Sequence, residues 1–223
     1  EKEYVGPAWY SREFVVPASM SGQEMLLTLE RVHWESLVWI DGKSCGMRNS
    51  LSTPHYYDLG ELSPGKHRIT VRVDNSYKIN VGINAHSLAD HTQTNWNGIA
   101  GEISLTPRNK LRIGRIAVYP DNDRKVAEAV VRIENSSEHT VTARLDLSAE
   151  SKFTPWQHFP GTVERTVTVA PGVDTVSVTY PMGEDFFEWD EHTPYLYAMT
   201  AHIRSEEGVD VHSTTFGMRK VSR

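Results

Sequence analysis

The stretch Trp39-Ile40-Asp41-Gly42-Lys43-Ser44-Cys45-Gly46 contains the clearest fold signal of the chain. Asp-Gly between two apolar runs favours a two-residue hairpin turn, because the backbone twist of that turn matches the twist of paired antiparallel strands. Apolar and polar residues alternate before this turn, and the same alternation recurs in residues 68–73 and 141–147. Since successive side chains of a strand point to opposite faces, the pattern predicts half-buried strands.

Short strands are predicted along the whole chain, with turn signals such as Ser21-Gly22 and Pro64-Gly65 between them. Residues 124–131 also fit a helical spacing, but the turn chemistry on both sides favours a strand there. Many short strands without helices between them predict an all-β chain of antiparallel sandwiches. The predicted strands are residues 9–16, 25–32, 37–40, 68–73, 102–105, 111–119, 127–134, 141–147, 163–169, 173–180, 196–203 and 209–216.

A domain boundary is predicted in Thr106-Pro107-Arg108-Asn109-Lys110, a polar segment with a proline between two strand-like stretches. The chain of 223 residues then divides into residues 1–108 and residues 109–223. Each part is long enough to bury a core of its own. The sequence therefore predicts two consecutive β-sandwich domains.

Composition excludes several classes of protein. The chain has 39% hydrophobic and 23% charged residues, and no stretch approaches the length of an apolar membrane span. Its formal net charge is −6 and its basic residues are scattered, which argues against nucleic acid as a partner. The single cysteine, Cys45, has no second cysteine with which to form a disulfide inside the chain.

Motifs for catalysis and metal binding are weak. Residues 42–46 fit the G-x-S-x-G pattern of a hydrolase nucleophile, but that pattern needs a following helix, and the turn reading is preferred. His86, Asp90 and His91 lack the spacing of a metal site. The acidic cluster at residues 184–191 lacks the spacing of a calcium loop, so its aromatics are expected to pack on a neighbouring domain. No metal or cofactor is expected.

The longest segment without a periodic pattern runs from Asp74 to Gly98 and reads DNSYKINVGINAHSLADHTQTNWNG. Long loops inside compact domains usually bind or catalyse. This one combines amides, imidazoles and an indole, and that mixture suits a sugar, which presents vicinal hydroxyls and an apolar ring face. A loop held together by its own amides remains the alternative. The candidate substrate-binding residues are His91, Gln93, Asn95 and Trp96, followed by Asp74 and Asn75, which also fit the end of strand 68–73.

Several motifs, taken in order, resemble glycoside hydrolase family 2. WYSREFVVP at residues 9–17, VWIDGK at 38–43, LSPGKH at 62–67 with VRVDN at 71–75, and NWNGIAG at 95–101 resemble its sugar-binding, galactose-binding-like jelly-roll domain. TPYLY at residues 193–197 and FGMRKV at 216–221 resemble the landmarks that end its immunoglobulin-like second domain.

The resemblance implies a jelly roll at residues 1–108, an immunoglobulin-like sandwich at 109–223, and a parent protein that is a retaining exo-glycosidase. In that family two glutamates on a (β/α)₈ barrel catalyse hydrolysis. That barrel is expected after residues 216–219, and a leading jelly-roll strand before Glu1. No Asn-Glu dipeptide, the acid/base signature of the family, occurs here, so no catalytic residue is assigned to this chain. The implied partners are the terminal sugar of a glycan, the barrel of the same polypeptide and, for the whole protein, further copies of itself.

One departure from the family pattern concerns sugar recognition. Family members often carry an aspartate about six residues before the Gly-Ile segment, and Thr92 stands at that register here. Asp90, His91 and Gln93 flank the position and could serve a different sugar. The departure puts a galactosidase-like or glucuronidase-like contact in doubt.

Two other functions remain open at the level of sequence. One is a free-standing lectin-like module that acts by affinity alone, and the other is a structural or adhesion protein of stacked sandwiches. The identity of the sugar and the cellular compartment are not determined, and a periplasmic or extracellular location is a guess.

Overall fold

The computed structural model describes residues 4–80, 82, 84–85 and 96–220. The chain forms two compact units, Glu1–Arg108 (unit 1) and Asn109–Arg223 (unit 2). Apart from one turn of 3₁₀ helix at Ala18–Met20, the described residues form strands and the connections between them. Within this part of the chain no helix has the length and apolar character needed to cross a membrane. The predicted all-β fold class of two consecutive sandwiches is confirmed.

The strands of unit 1 are β1 Pro7–Val16, β2 Glu24–Leu29, β3 Val32–His33, β4 Glu35–Ile40, β5 Lys43–Arg48, β6 His55–Glu61, β7 Gly65–Asp74, β8 Gly98–Ile99 and β9 Ile103–Arg108. They form a four-stranded sheet of order β1-β7-β4-β5 and a three-stranded sheet of order β6-β2-β9, with a short β3-β8 pair beside them. All of these pairings are antiparallel.

The Asp-Gly hairpin lies where the sequence predicts it. Ile40 pairs with Lys43, so Asp41 and Gly42 are the two turn residues between β4 and β5. Both have positive φ values, 49° at Asp41 and 81° at Gly42. Two consecutive positive φ values match a type I′ turn, whose twist continues that of the strands. Asp41 further accepts a hydrogen bond from the backbone nitrogen of Arg68 at 2.7 Å, which fixes the turn on β7.

The core of unit 1 comes from the inward-facing positions of both sheets. Alternate residues of β4 and β7 are buried, and they pack against Leu27, Leu29 and Tyr57 of the other sheet. This burial of alternate apolar side chains is the main stabilising contribution in a sandwich. A polar group is buried with them, since the Ser36 hydroxyl contacts His55 Nδ1 at 2.6 Å and the Tyr57 hydroxyl at 2.7 Å.

The strands of unit 2 are β10 Leu111–Asp121, β11 Val126–Asn135, β12 Val141–Lys152, β13 Thr162–Val169, β14 Gly172–Pro181, β15 Leu196–Ser205 and β16 Gly208–Phe216. A three-stranded sheet of order β10-β11-β14 packs against a four-stranded sheet of order β13-β12-β15-β16, which is an immunoglobulin-like arrangement. Residues 124–131, which also fit a helical spacing, contribute to β11.

The alternation in residues 141–147 has the predicted effect, with one exception. Val141, Ala143, Leu145 and Leu147 are buried in the core of unit 2. Asp146 is also only 7% exposed, although it lies on the opposite face of the strand. Its carboxylate pairs with Arg144 and Arg204, which compensate for its burial.

Three details of the sequence prediction were wrong. The predicted strand 25–32 is interrupted after Leu29, because Arg31 adopts a φ of 50° that an extended strand does not allow. Strand β9 continues to Arg108 instead of ending at Leu105. Pro107 is tolerated in it because β9 is an edge strand, where the absent N–H of proline removes no hydrogen bond to a neighbouring strand. Phe187 was expected to pack on a neighbouring domain, but it is buried in the core of its own unit.

Candidate functional site

Three of the six candidate residues, Asp74, Asn75 and Trp96, are described, and they meet at one end of unit 1. Asp74 closes β7, and its carbonyl oxygen accepts a hydrogen bond from the Trp34 backbone nitrogen at 3.1 Å. Asn75 follows directly, and Trp96 precedes the short strand β8. The other three candidates, His91, Gln93 and Asn95, lie outside the described residues.

Asp74 is a buried and fully paired carboxylate. It is 8% exposed, and it accepts hydrogen bonds from Lys78 Nζ at 2.8 Å, from the Ser76 backbone nitrogen at 3.0 Å and from the Ser76 hydroxyl. Burial by itself raises the pKa of Asp74, but these hydrogen bonds outweigh burial and lower the pKa to about 2. Asp74 is therefore ionised at neutral pH and is not suited to act as an acid or base.

Two cations and two anions form a compact network around Asp74. Arg72 donates to Glu35 Oε1 at 2.6 Å and lies 3.7 Å from Asp74 Oδ2. Lys78 contacts Asp74 and also lies 3.7 Å from Glu35 Oε1. All four side chains are at most 27% exposed, so solvent screens these pairs less than it screens surface pairs. The charges balance, and this end of unit 1 presents no excess charge from these groups.

The amide of Asn75 joins three separate parts of unit 1. Its Oδ1 accepts a hydrogen bond from the Gly6 backbone nitrogen at 2.7 Å. Its Nδ2 donates to the Tyr4 carbonyl oxygen at 2.8 Å and to Asn97 Oδ1 at 2.9 Å. Both ends of the side chain are thus engaged within the protein. This geometry gives Asn75 the role of fixing the two ends of segment 75–97 next to each other.

Trp96 belongs to a series of aromatic contacts that starts at His33. His33 Nδ1 donates to the Trp96 carbonyl oxygen at 2.6 Å, and the ring centroids of the two residues lie 5.5 Å apart. The ring of His33 also contacts that of Trp34 at 6.5 Å, and Trp34 makes an edge contact with Tyr77 at 5.9 Å. The indole nitrogen of Trp96 is buried and has no hydrogen-bond partner among the described residues.

A cleft of about 370 Å³ opens beside this end of unit 1. Asn97 and Gly98 lie along it, together with Tyr10 and Ile99. A side chain at residue 98 would meet the Tyr10 hydroxyl at 3.2 Å, and the φ of Gly98 is 75°, so glycine is the fitting residue there. The glycine allows β1 and the end of segment 75–97 to approach closely.

Sequence reasoning did not identify several residues of this site, among them His33, Trp34, Glu35, Arg72 and Lys78. A signal for three of them was present, since His33-Trp34-Glu35 fills the gap between two predicted strands with an imidazole, an indole and a carboxylate. Gly42–Gly46, the possible nucleophile motif, forms the hairpin and strand β5. Among the residues that the structure describes, no three His, Cys, Asp or Glu side chains are close enough to hold a metal ion.

Unit 1 is a sandwich with an amide-rich and aromatic end, and unit 2 is an immunoglobulin-like sandwich. The chain therefore belongs to the class of tandem β-sandwich regions. Comparisons with known proteins agree with this class. Residues 111–219 match the family model described as glycosyl hydrolases family 2. The chain is therefore a region related to the glycosidases of family 2, and the resemblance seen in its motifs is confirmed.

Individual relatives extend the likeness over the whole chain. A beta-galactosidase of Pseudoalteromonas haloplanktis is 25% identical over 228 residues, which cover 95% of this chain and 20% of the relative. The beta-galactosidase BoGH2A of Bacteroides ovatus is 25% identical over 97% of this chain and 25% of its own length. A solved beta-glucuronidase from glycoside hydrolase family 2 superposes with a TM-score of 0.78 at 20% identity, over 99% of this chain and 25% of that one. The chain thus spans a fifth to a quarter of the length of these relatives.

Proposed function

We propose that the chain is the non-catalytic N-terminal region of a retaining exo-glycosidase. In this proposal unit 1 lends segment 74–97 to the recognition of the terminal sugar, and the two units support a catalytic barrel in the same polypeptide. The family match and the small share of each relative that the chain covers support the proposal. The relatives named above act on different sugars according to their names, so the sugar itself is left open.

The observation that carries this proposal is the hydrogen bond between Asn75 and Asn97. It joins the residues at the two ends of a segment that contains most of the amide side chains of unit 1 and two of its five histidines. The charge network of Asp74 and the His33–Trp96 contact hold the flanking backbone. A binding segment whose ends are fixed loses less conformational entropy when it contacts a ligand.

The chemistry expected of this chain is orientation of the sugar and not bond cleavage. Retaining glycosidases use two carboxyl groups about 5 Å apart, one as nucleophile and one as acid and base. Asp74 and Glu35 are paired with cations and are assigned no such role. Holding the sugar in the correct orientation toward carboxylates elsewhere in the protein still accelerates the reaction. The reacting groups are then already aligned, so the entropic part of the activation barrier is smaller.

The first experiment compares the 223-residue chain with the full-length protein on a panel of aryl β-glycosides. The full-length protein should release the aryl group and the chain alone should not. Turnover by the isolated chain would contradict a non-catalytic role. Calorimetry of the chain with galactose, glucuronate and mannose belongs to the same test, because a free-standing lectin should bind one of them, whereas a partial site should give no measurable heat.

The second experiment tests segment 74–97 in the full-length protein. Replacing Trp96 by alanine, or Gln93 by alanine, should raise KM or lower kcat without unfolding the protein. Trp96→Phe keeps an aromatic ring without the indole nitrogen and separates packing from hydrogen bonding. Trp156→Ala changes an exposed tryptophan of unit 2 and is the matched control. Unchanged kinetics for both Trp96→Ala and Gln93→Ala would show that the segment is structural.

A further inference from the structure

The outer face of the four-stranded sheet in unit 1 carries an apolar surface that the proposed function does not use. Trp9 of β1, Leu37 and Trp39 of β4, and Met47 of β5 share this face, and we call them the indole face. The outward face of a sandwich sheet is normally polar, because water is its only neighbour. Trp9 is 61% exposed and Met47 is 46% exposed, so this surface departs from that rule.

The two indoles form one continuous aromatic surface. Their ring centroids are 5.2 Å apart with an interplanar angle of 28°. Trp9 and Trp39 belong to strands that both pair with β7, so their rings approach each other across the middle strand of the sheet. The rigid sheet fixes both rings in advance, which lowers the entropic cost of binding a ligand on them.

Polar side chains lie within the rows of the indole face and in the rows next to it. The row of Trp39 also contains the hydroxyls of Ser11 and Thr70, 3.3 Å apart, and the next row contains the Glu13–Arg68 ion pair at 2.7 Å.

The row of Trp9 also contains Arg72, which lies on β7 between Trp9 and Leu37, and its guanidinium binds Glu35 in the next row. The next row contains Asp74, so the indole face is continuous with the network at the candidate site.

We infer that the indole face binds a chain of neutral sugars, as a platform separate from the proposed terminal-sugar contact. Pyranose rings offer apolar C–H faces to the indoles and hydroxyls to the carboxylates, guanidinium groups and hydroxyls in the bordering rows. The bordering charges are paired, which favours a neutral glycan over a polyanion. A protein partner is a poorer fit, because charged residues are depleted at the centre of protein interfaces and here they lie within one row of the indoles.

The test uses the 223-residue chain in affinity gel electrophoresis with four neutral polysaccharides: xyloglucan, β-1,4-galactan, galactomannan and arabinoxylan. Polygalacturonate is the acidic comparison. At least one neutral polysaccharide should retard the chain, and polygalacturonate should retard it less. Trp9→Ala should weaken that retardation about ten-fold or more, as is typical when a central tryptophan anchor is removed.

The controls separate the indole face from exposed tryptophan in general. Trp156, in unit 2, is 62% exposed, so Trp156→Ala removes a tryptophan of almost equal exposure and should leave the retardation unchanged. Trp9→Phe keeps an aromatic surface and should retain part of the binding, and it remains informative if Trp9→Ala folds poorly.

Three results would overturn the inference. The first is no retardation by any neutral polysaccharide, and the second is equal loss in Trp9→Ala and Trp156→Ala. The third is a dimer in sedimentation equilibrium that Trp9→Ala dissociates, because the face would then bind a second copy of the chain.

Discussion

Replacing Asp74 by asparagine tests how the charge network holds the end of unit 1. The substitution keeps the size of the side chain and removes its negative charge, so that among the described residues Lys78 retains Glu35 as its acidic partner. The pKa of Asp74 lies at about 2, against an ordinary value of 3.8. Each pKa unit corresponds to about 1.4 kcal/mol, so the folded protein stabilises this carboxylate by roughly 2 kcal/mol at neutral pH.

The pH dependence follows from the direction of the change. A carboxylate with a lowered pKa in the folded state contributes its stabilisation above its unfolded pKa, and the contribution disappears as pH falls through the folded pKa. The destabilisation by Asp74→Asn should therefore be about 2 kcal/mol at pH 7 and clearly smaller at pH 3. Glu13→Gln is the matched acid-to-amide control. Its ion pair with Arg68 is more than half exposed, and such pairs contribute about 0–1 kcal/mol.

Urea unfolding followed by amide NMR signals is the suitable assay, because resolved signals report on unit 1 and unit 2 separately. Asp74→Asn should lower the free energy of unfolding measured from strands β1, β4 and β7, while signals from unit 2 stay unchanged. A loss as small as that of Glu13→Gln, or a loss that is equally large at pH 3, would refute the reasoning. Either result would mean that the carboxylate charge of Asp74 does not stabilise the fold.

Two further predictions concern groups outside the candidate site. Burial lowers the pKa of His55. Hydrogen bonds to the Ser63 carbonyl oxygen and the Asp41 carboxylate raise the pKa of His67. Titration of the ring protons by NMR should therefore give pKa values on opposite sides of 6.5 for the two histidines. As pH falls through 6.5, His55 should therefore lower the free energy of unfolding, and His67 should raise it. The Tyr180 hydroxyl accepts from the Ala149 backbone nitrogen at 2.9 Å in the core, so Tyr180→Phe should cost about 1–3 kcal/mol in urea unfolding, whereas Tyr119→Phe, at an exposed position, should cost little.

The sequence predicted the strands that alternate cleanly and missed those whose buried positions are polar. Strand β6, His55–Glu61, buries His55 and Tyr57, and the hydroxyl of Ser36 satisfies both. An apolar pattern cannot reveal such a strand, because its burial depends on a hydrogen-bond partner in another sheet. Unit 2, in contrast, buries mostly aliphatic residues, and all of its strands were anticipated.

The candidate site shows a different limit of sequence reasoning. Asp74 and Asn75 could be named from composition, but Glu35, which lies opposite Asp74 in the strand register, and Gly6, which donates to Asn75, come from distant parts of the chain. Only the register of β4, β7 and β1 brings these groups together, and a single sequence does not specify register between strands so far apart. The substrate-binding roles of His91, Gln93 and Asn95 stay predictions.

Arg72 links the two surfaces that unit 1 offers. Its position on β7 places it opposite Trp9 on one side and Leu37 on the other, within the row of the indole face. Its guanidinium reaches Glu35 in the next row and lies near Asp74. Because Glu35 neutralises the cation, the row of Trp9 and Leu37 carries no unpaired charge, and the indole face continues up to the candidate site. Removal of the Glu35 carboxylate should therefore disturb sugar binding at both surfaces, whereas Trp9→Ala should disturb only the outer face of the sheet.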